Sequence, residues 1–157
     1  MEGARVLCPL FRGVGFAEAR VITRCLTQWM IMRLLLLACL GGAIGAGLRH
    51  LVSTGAYRMV GVAFPVGTLF VNVVGSFVMG IVVEIILHKF DGSTALRSFF
   101  ATGVLGGFTT FSAFSLDFAQ LFERGEYGLA MTYLTVSVVG SILALFAGLA
   151  MARMALQ

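Results

Sequence analysis

The chain is short of charge. Only 11% of its 157 residues are Asp, Glu, Lys or Arg, against roughly 25% in a soluble domain. Hydrophobic residues make up 59% and the mean hydropathy is +1.00. That balance excludes an ordinary water-soluble fold and indicates an all-α integral membrane protein of one domain. The formal charge of +4 is concentrated near the start. From Met32 onward, seven Lys/Arg (33, 49, 58, 89, 97, 124, 153) face five Asp/Glu (84, 91, 117, 123, 126), which leaves +2 and no basic surface for nucleic acid. The three cysteines, Cys8, Cys25 and Cys39, are odd in number and far apart, so neither a disulfide framework nor a zinc site is expected. No His/Cys/carboxylate or nucleophile–base grouping stands out, and an enzyme is excluded on that ground. Asparagine is scarce too: Asn72 is the only one.

The apolar runs define four expected membrane spans, at about 34–52, 64–87, 96–122 and 127–151. Residues 1–31 are of mixed polarity, carry Arg5, Arg12, Arg20 and Arg24, and show no sustained periodicity. They read as an Arg-rich targeting arm or, preferably, as a start placed upstream of Met30 or Met32, which leaves 32–157 as the folded domain. Arg33 and the leucines after it also resemble a secretory signal, but the run continues to Arg49 and three more spans follow, so it is read as a retained helix. Gly41 and Gly45, with Ala43 and Gly47, place small residues where membrane helices approach closely. Pro65 suits a helix start, and Asp91-Gly92 suits a turn. Lys/Arg residues divide almost evenly between the two sides: 33, 89, 97 and 153 against 49, 58 and 124. So weak a positive-inside bias would let copies insert both ways up.

Three patterns carry chemistry. The stretch Gly103–Phe118 combines Gly106-Gly107, Thr109-Thr110 and phenylalanines at 108, 111, 114 and 118, an unfavourable composition for one unbroken helix. In the second span Thr68, Asn72, Ser76 and Gly80 are four apart and form a polar, small-residue stripe, with Glu84 placed to reach the interface. In the fourth, Tyr133, Ser137 and Ser141 form another. Each pattern has a structural reading and a functional one. Asn72 is either interhelical glue or an N–H donor to a passing anion. The serines either bond back to carbonyls four residues earlier or offer hydroxyls at successive depths. The rings are either packing or edge-on anion contacts, since a phenyl edge is positive. Amide, hydroxyl and ring-edge donors without an intervening cation suit a small, strongly hydrated anion.

From Met32 to Arg153 the chain resembles the CrcB/Fluc fluoride channels. The resemblance rests on GGAIGAGLRH (41–50), FPVGTLFVNVVGSFVMG (64–80) and GGFTTFSAFSLD (106–117), with the Tyr133/Ser137/Ser141 spacing behind them. It implies four membrane helices, the third broken, in an antiparallel dual-topology homodimer of the inner membrane. Two fluoride pores would each be lined by both subunits. It maps Asn72 onto the pore asparagine, Phe111 and Phe114 onto paired phenylalanines whose edges face fluoride, and Tyr133, Ser137, Ser141 and Thr68 onto the polar track. It also implies a structural Na+ on the two-fold axis, held by backbone carbonyls that map to Gly106 and Thr109. Arg49 matches the arginine that closes the first motif.

Two departures stand out. The family's FST is here Phe111-Ser112-Ala113, and its usual glutamate three residues after the second phenylalanine is here Asp117, one methylene shorter. The rival transport reading is a small proton-coupled multidrug exporter, which needs a titratable carboxylate deep in the membrane. The first span has none, and Glu84 and Asp117 lie towards helix ends. A non-transporting membrane subunit is the third reading.

Overall fold

A computed structural model describes residues 16–61 and 64–156, and residues 1–15 of the N-terminal segment lie outside the described residues. The chain is all-helical there. Helix α1 (Phe16–Val60) leads to α2 (Val66–Lys89), and the third span follows as α3 (Thr94–Leu96), a π-helical segment (Arg97–Leu105), α4 (Gly106–Phe108) and α5 (Phe111–Glu123). Helix α6 (Tyr127–Leu156) ends the fold. Four helical stretches are long and apolar enough to cross a bilayer: Leu26–Met59, Val66–Lys89, Thr94–Glu123 and Tyr127–Leu156. The chain is a multi-pass membrane protein.

Helix α1 is far longer than the 34–52 expected. No glycine or proline lies between Phe16 and Leu40 to stop it. It ends where Gly61 turns left-handed (φ 82°) and donates its N–H back to the Tyr57 carbonyl at 3.0 Å, a glycine cap. At 45 residues and about 1.5 Å per residue, α1 exceeds the roughly 30 Å hydrocarbon core about twofold. Pro65 caps α2 as expected, and Asp91-Gly92 forms the next turn with positive φ at both residues.

Two tight seams organise the bundle. In the first, α1 lies against the third span. A β-carbon on Gly41 would collide with the Phe99 carbonyl, and one on Gly45 with the Val104 carbonyl. Gly47 meets nothing, and Ala43 is exposed, so only half of the small residues read from sequence work there. In the second seam, α2 lies against α6: a β-carbon on Gly80 would strike the Leu145 carbonyl, and one on Gly148 the Phe77 carbonyl. Helix α6 faces this seam with Ala130, Tyr133, Ser137, Gly148 and Ala152 buried, and turns Val136, Val139, Leu143 and Phe146 outward. The polar stripe is inside and the apolar face outside, as lipid requires.

The third span bends. Gly106 and Gly107 are helical, and the extended residues are Thr109 (φ −79°, ψ 157°) and Thr110 (φ −153°, ψ 124°). Gly107 serves packing, since a β-carbon there would come within 2.7 Å of the Gly42 carbonyl, whereas one on Gly106 would meet only the Ala101 carbonyl at 3.5 Å. β-branched threonines favour extended backbone, and Thr110 then caps α5 by accepting the Ala113 N–H at 3.2 Å. The π-helical stretch before the bend had no counterpart in the sequence pattern.

Candidate functional site

The bend is held open by Asn72. Its Nδ2 donates to the Thr110 carbonyl at 2.9 Å, and its Oδ1 accepts the Thr110 N–H at 2.7 Å. Because a backbone N–H can only donate, this pair fixes which way the amide points. One side chain on α2 thus satisfies both backbone groups of Thr110, the residue at the bend. The structural reading of Asn72 is realised, and a second Nδ2–H remains for another acceptor.

Two bonds at the bend change what the carbonyls before it can do. Thr110 N–H, which in a continuous helix would reach the Gly106 carbonyl, goes to Asn72; Ala113 N–H, which would reach the Thr109 carbonyl, goes to the Thr110 hydroxyl. Both carbonyls lose their usual donor. Gly106 and Thr109 line an open cleft of about 420 Å³ together with Asn72, Phe111, Ser137 and Ser141. Phe114 and Ser76 also face this cleft.

Two hydroxyls in the cleft stand apart from its threonines, of which Thr109 donates back to the Leu105 carbonyl at 3.0 Å. The Oγ atoms of Ser137 and Ser141 are buried and make no hydrogen bond of good geometry among the described residues, the Ser137 hydroxyl lying near that of Tyr133. By contrast, Thr132 donates to the Gly128 carbonyl, Thr135 to Met131 and Ser115 to Phe111, each at 2.9 Å. Back-bonding is thus available to hydroxyls in these helices, and Ser137 and Ser141 do not use it.

The phenylalanines divide. Phe114 is buried and packs on the fully buried Tyr133 ring (centroids 5.3 Å apart), whereas Phe111 is 76% exposed while its ring lies 5.4 Å from that of Phe114. Tyr133 also meets Phe64 edge-on at 5.6 Å and donates its hydroxyl to Asp117 Oδ2 at 3.1 Å. The shorter aspartate therefore does reach the tyrosine. Asp117 and Thr68 line a second cleft, of about 220 Å³, beside Tyr57, Gln120 and Arg124. Tyr133 stands between the two clefts, touching residues of both.

Other residues singled out from sequence fall elsewhere. Arg49 is half-buried on α1 and lines neither cleft. Ser112 is exposed, with its hydroxyl 3.2 Å from that of Thr110. Glu84, near the end of α2, is buried within the protein and bonded to Arg153 and His88, both of them exposed. Thr110 was missed, although a β-branched hydroxyl three residues before a small helical residue is a cap signal. Among the described residues no three His, Cys, Asp or Glu side chains converge as metal ligands would.

The chain is similar to known proteins over most of its length. Residues 36–149 match the family model described as CrcB-like protein, Camphor Resistance (CrcB). A protein of Chelativorans sp. (strain BNC1) named "Fluoride-specific ion channel FluC" is 61% identical over 119 residues, covering 76% of this chain and 95% of that protein. Proteins of the same name from Mesorhizobium japonicum and Agrobacterium fabrum are 56% and 53% identical, over 119 and 117 residues. These cover 76% and 74% of this chain, and 95% and 94% of the relatives.

Proposed function

The chain belongs to the CrcB family, and from that premise we propose that it is a fluoride channel, passing fluoride passively out of the cytoplasm across the inner membrane. The observation that carries this reading is the pair of buried, unpartnered hydroxyls at Ser137 and Ser141, in a cleft shared with the Asn72 amide and the Phe111 and Phe114 rings. Unpaired buried hydroxyls cost stability. They are tolerable where an ion accepts their hydrogen bonds in passing, and a neutral donor set holds an anion weakly enough to release it. Thr68 and Tyr133 continue the donor series towards the Asp117 cleft.

A single copy leaves the cleft open and Phe111 exposed. In the proposed assembly two copies insert in opposite orientations and form an antiparallel homodimer, each completing the other's pore, so that the ring edges of Phe111 and Phe114 meet fluoride where water is excluded. The bend at Thr109-Thr110 is then the helix break at the two-fold axis. The carbonyls of Gly106 and Thr109, stripped of their usual donors, would hold Na+, for which hard oxygen ligands are suited. Bound there, the ion would neutralise carbonyl dipoles facing each other across the interface. Arg49 and Ser112 lie outside the cleft lining and have no assigned part in conduction. The multidrug-exporter reading lacks an available carboxylate, since Glu84 is tied to Arg153 and Asp117 accepts from Tyr133.

The test is anion efflux from proteoliposomes holding the purified protein. Fluoride should leave rapidly without a proton gradient while chloride is retained; equal rates for the two ions would sink the proposal.

A further inference from the structure

The two donor stripes extend beyond the cleft. On α2 the steps of four that carry Thr68, Asn72 and Ser76 continue through Gly80 to Glu84 and His88. On α6 the steps that carry Tyr133, Ser137 and Ser141 continue through Leu145 and Leu149 to Arg153. Ridges of this kind are the surfaces by which helices interlock. Here they interlock twice. Gly80 and Gly148 put the two backbones in contact, and one turn further Arg153 closes on Glu84, Nε to Oε1 at 2.9 Å and a terminal guanidinium nitrogen to Oε2 at 3.3 Å. His88 Nε2 lies 2.9 Å from the same Oε1. Glu84 is buried in an otherwise apolar stretch, 3% exposed, while Arg153 and His88 remain half-exposed.

A buried carboxylate is tolerated only when fully partnered, and a guanidinium that engages both its oxygens fixes direction as well as distance. We propose that Glu84 and Arg153 are positioning residues for conduction. Their two-point contact, acting beyond the Gly80–Gly148 crossing, locks α2 against α6. It thereby sets the depth and angle at which Asn72 and Ser76 on one helix face Ser137 and Ser141 on the other. The glycine contact alone is a pivot, because it has no side chain to resist rotation or sliding. The ion pair turns that pivot into a fixed joint. Neither residue touches the anion path, and the pair contributes through the helices it joins.

The inference rests on the channel reading, and the experiment separates the two. Wild-type protein showing no selective fluoride flux would refute the channel reading itself. With wild-type flux in hand, Glu84→Gln and Arg153→Gln are compared, as purified dimers, across a range of fluoride concentrations. Displaced donors bind the ion less well, so the half-saturating fluoride concentration should rise at least threefold. A role in fold stability alone would lower the number of active dimers and leave that concentration unchanged. Should either variant fail to assemble, Glu84→Asp and Arg153→Lys keep the charges but weaken the two-point geometry, and should give the same shift to a smaller degree. The exchanged pair, Glu84→Arg with Arg153→Glu, should bring the value back towards wild type. Half-saturation unmoved in the assembled single variants, or an exchanged pair no better than either of them, would overturn the proposal.

Discussion

Helix α6 presents hydroxyls on two faces, and the faces obey different rules. On the outer face Thr132 and Thr135 are exposed and each donates to the carbonyl four residues back. On the inner face Ser137 and Ser141 are buried and donate to nothing among the described residues. The helix, the chemistry and the four-residue reach are the same in both cases. In lipid a hydroxyl must satisfy itself, since the solvent offers no acceptor. Towards the cleft the bond is left unmade, which is unfavourable unless something else accepts it. The contrast distinguishes hydroxyls that belong to the helix from hydroxyls kept for a ligand.

The aromatic part of the same cleft provides the severest test. Replacing Phe111 and Phe114 together by Ile keeps apolar bulk and removes the positive ring edges. If those edges face the ion alongside the serines, fluoride flux should fall below detection while the variant keeps the wild-type elution volume in size-exclusion chromatography. Flux at the wild-type rate would return both rings to packing and leave the serines as unexplained buried donors.

The serines come next. A hydrogen bond to a charged partner contributes about 1.5–3 kcal/mol, and each ~1.4 kcal/mol is tenfold. Ser137→Ala with Ser141→Ala should therefore slow fluoride efflux by about tenfold or more, read from initial rates in proteoliposomes. Because the removed hydroxyls have no partner in the fold, thermal stability should hold or rise, a direction opposite to that of most buried substitutions. A double variant that conducted normally but melted early would reverse the assignment.

Much of this was legible in the sequence, and the reasons differ by feature. Four spans follow from apolar runs that only a bilayer explains, and the stripes at 68–80 and 133–141 follow from the helical period. Those signals are local. The ends of α1 were misjudged because polarity changes at residue 31, whereas a helix stops only where something stops it, here Gly61. The sequence places the break over Gly106 to Thr109, but the glycines are helical, Gly107 lies in close contact with α1, and the bend falls on Thr109 and Thr110. What moved it there is Asn72, 38 residues away in sequence, a long-range bond that no local pattern encodes. The partner of Glu84 is illegible for the same reason, since Arg153 is on another helix.

The smallest expected effect is also the control that gives the comparison its meaning. Thr132→Ala with Thr135→Ala removes two outer hydroxyls whose bonds are made within α6 to Gly128 and Met131. Each carbonyl that loses such a bond also stands opposite the ordinary backbone donor four residues on, so the helical ladder needs neither hydroxyl. Alanine also has the higher helix propensity. Efflux should stay within about twofold of wild type, since none of these atoms lines either cleft. If the outer pair slowed fluoride as much as the inner pair, burial and missing partners would not be what marks a conducting hydroxyl. The difference between the two faces of α6 would then reflect packing alone.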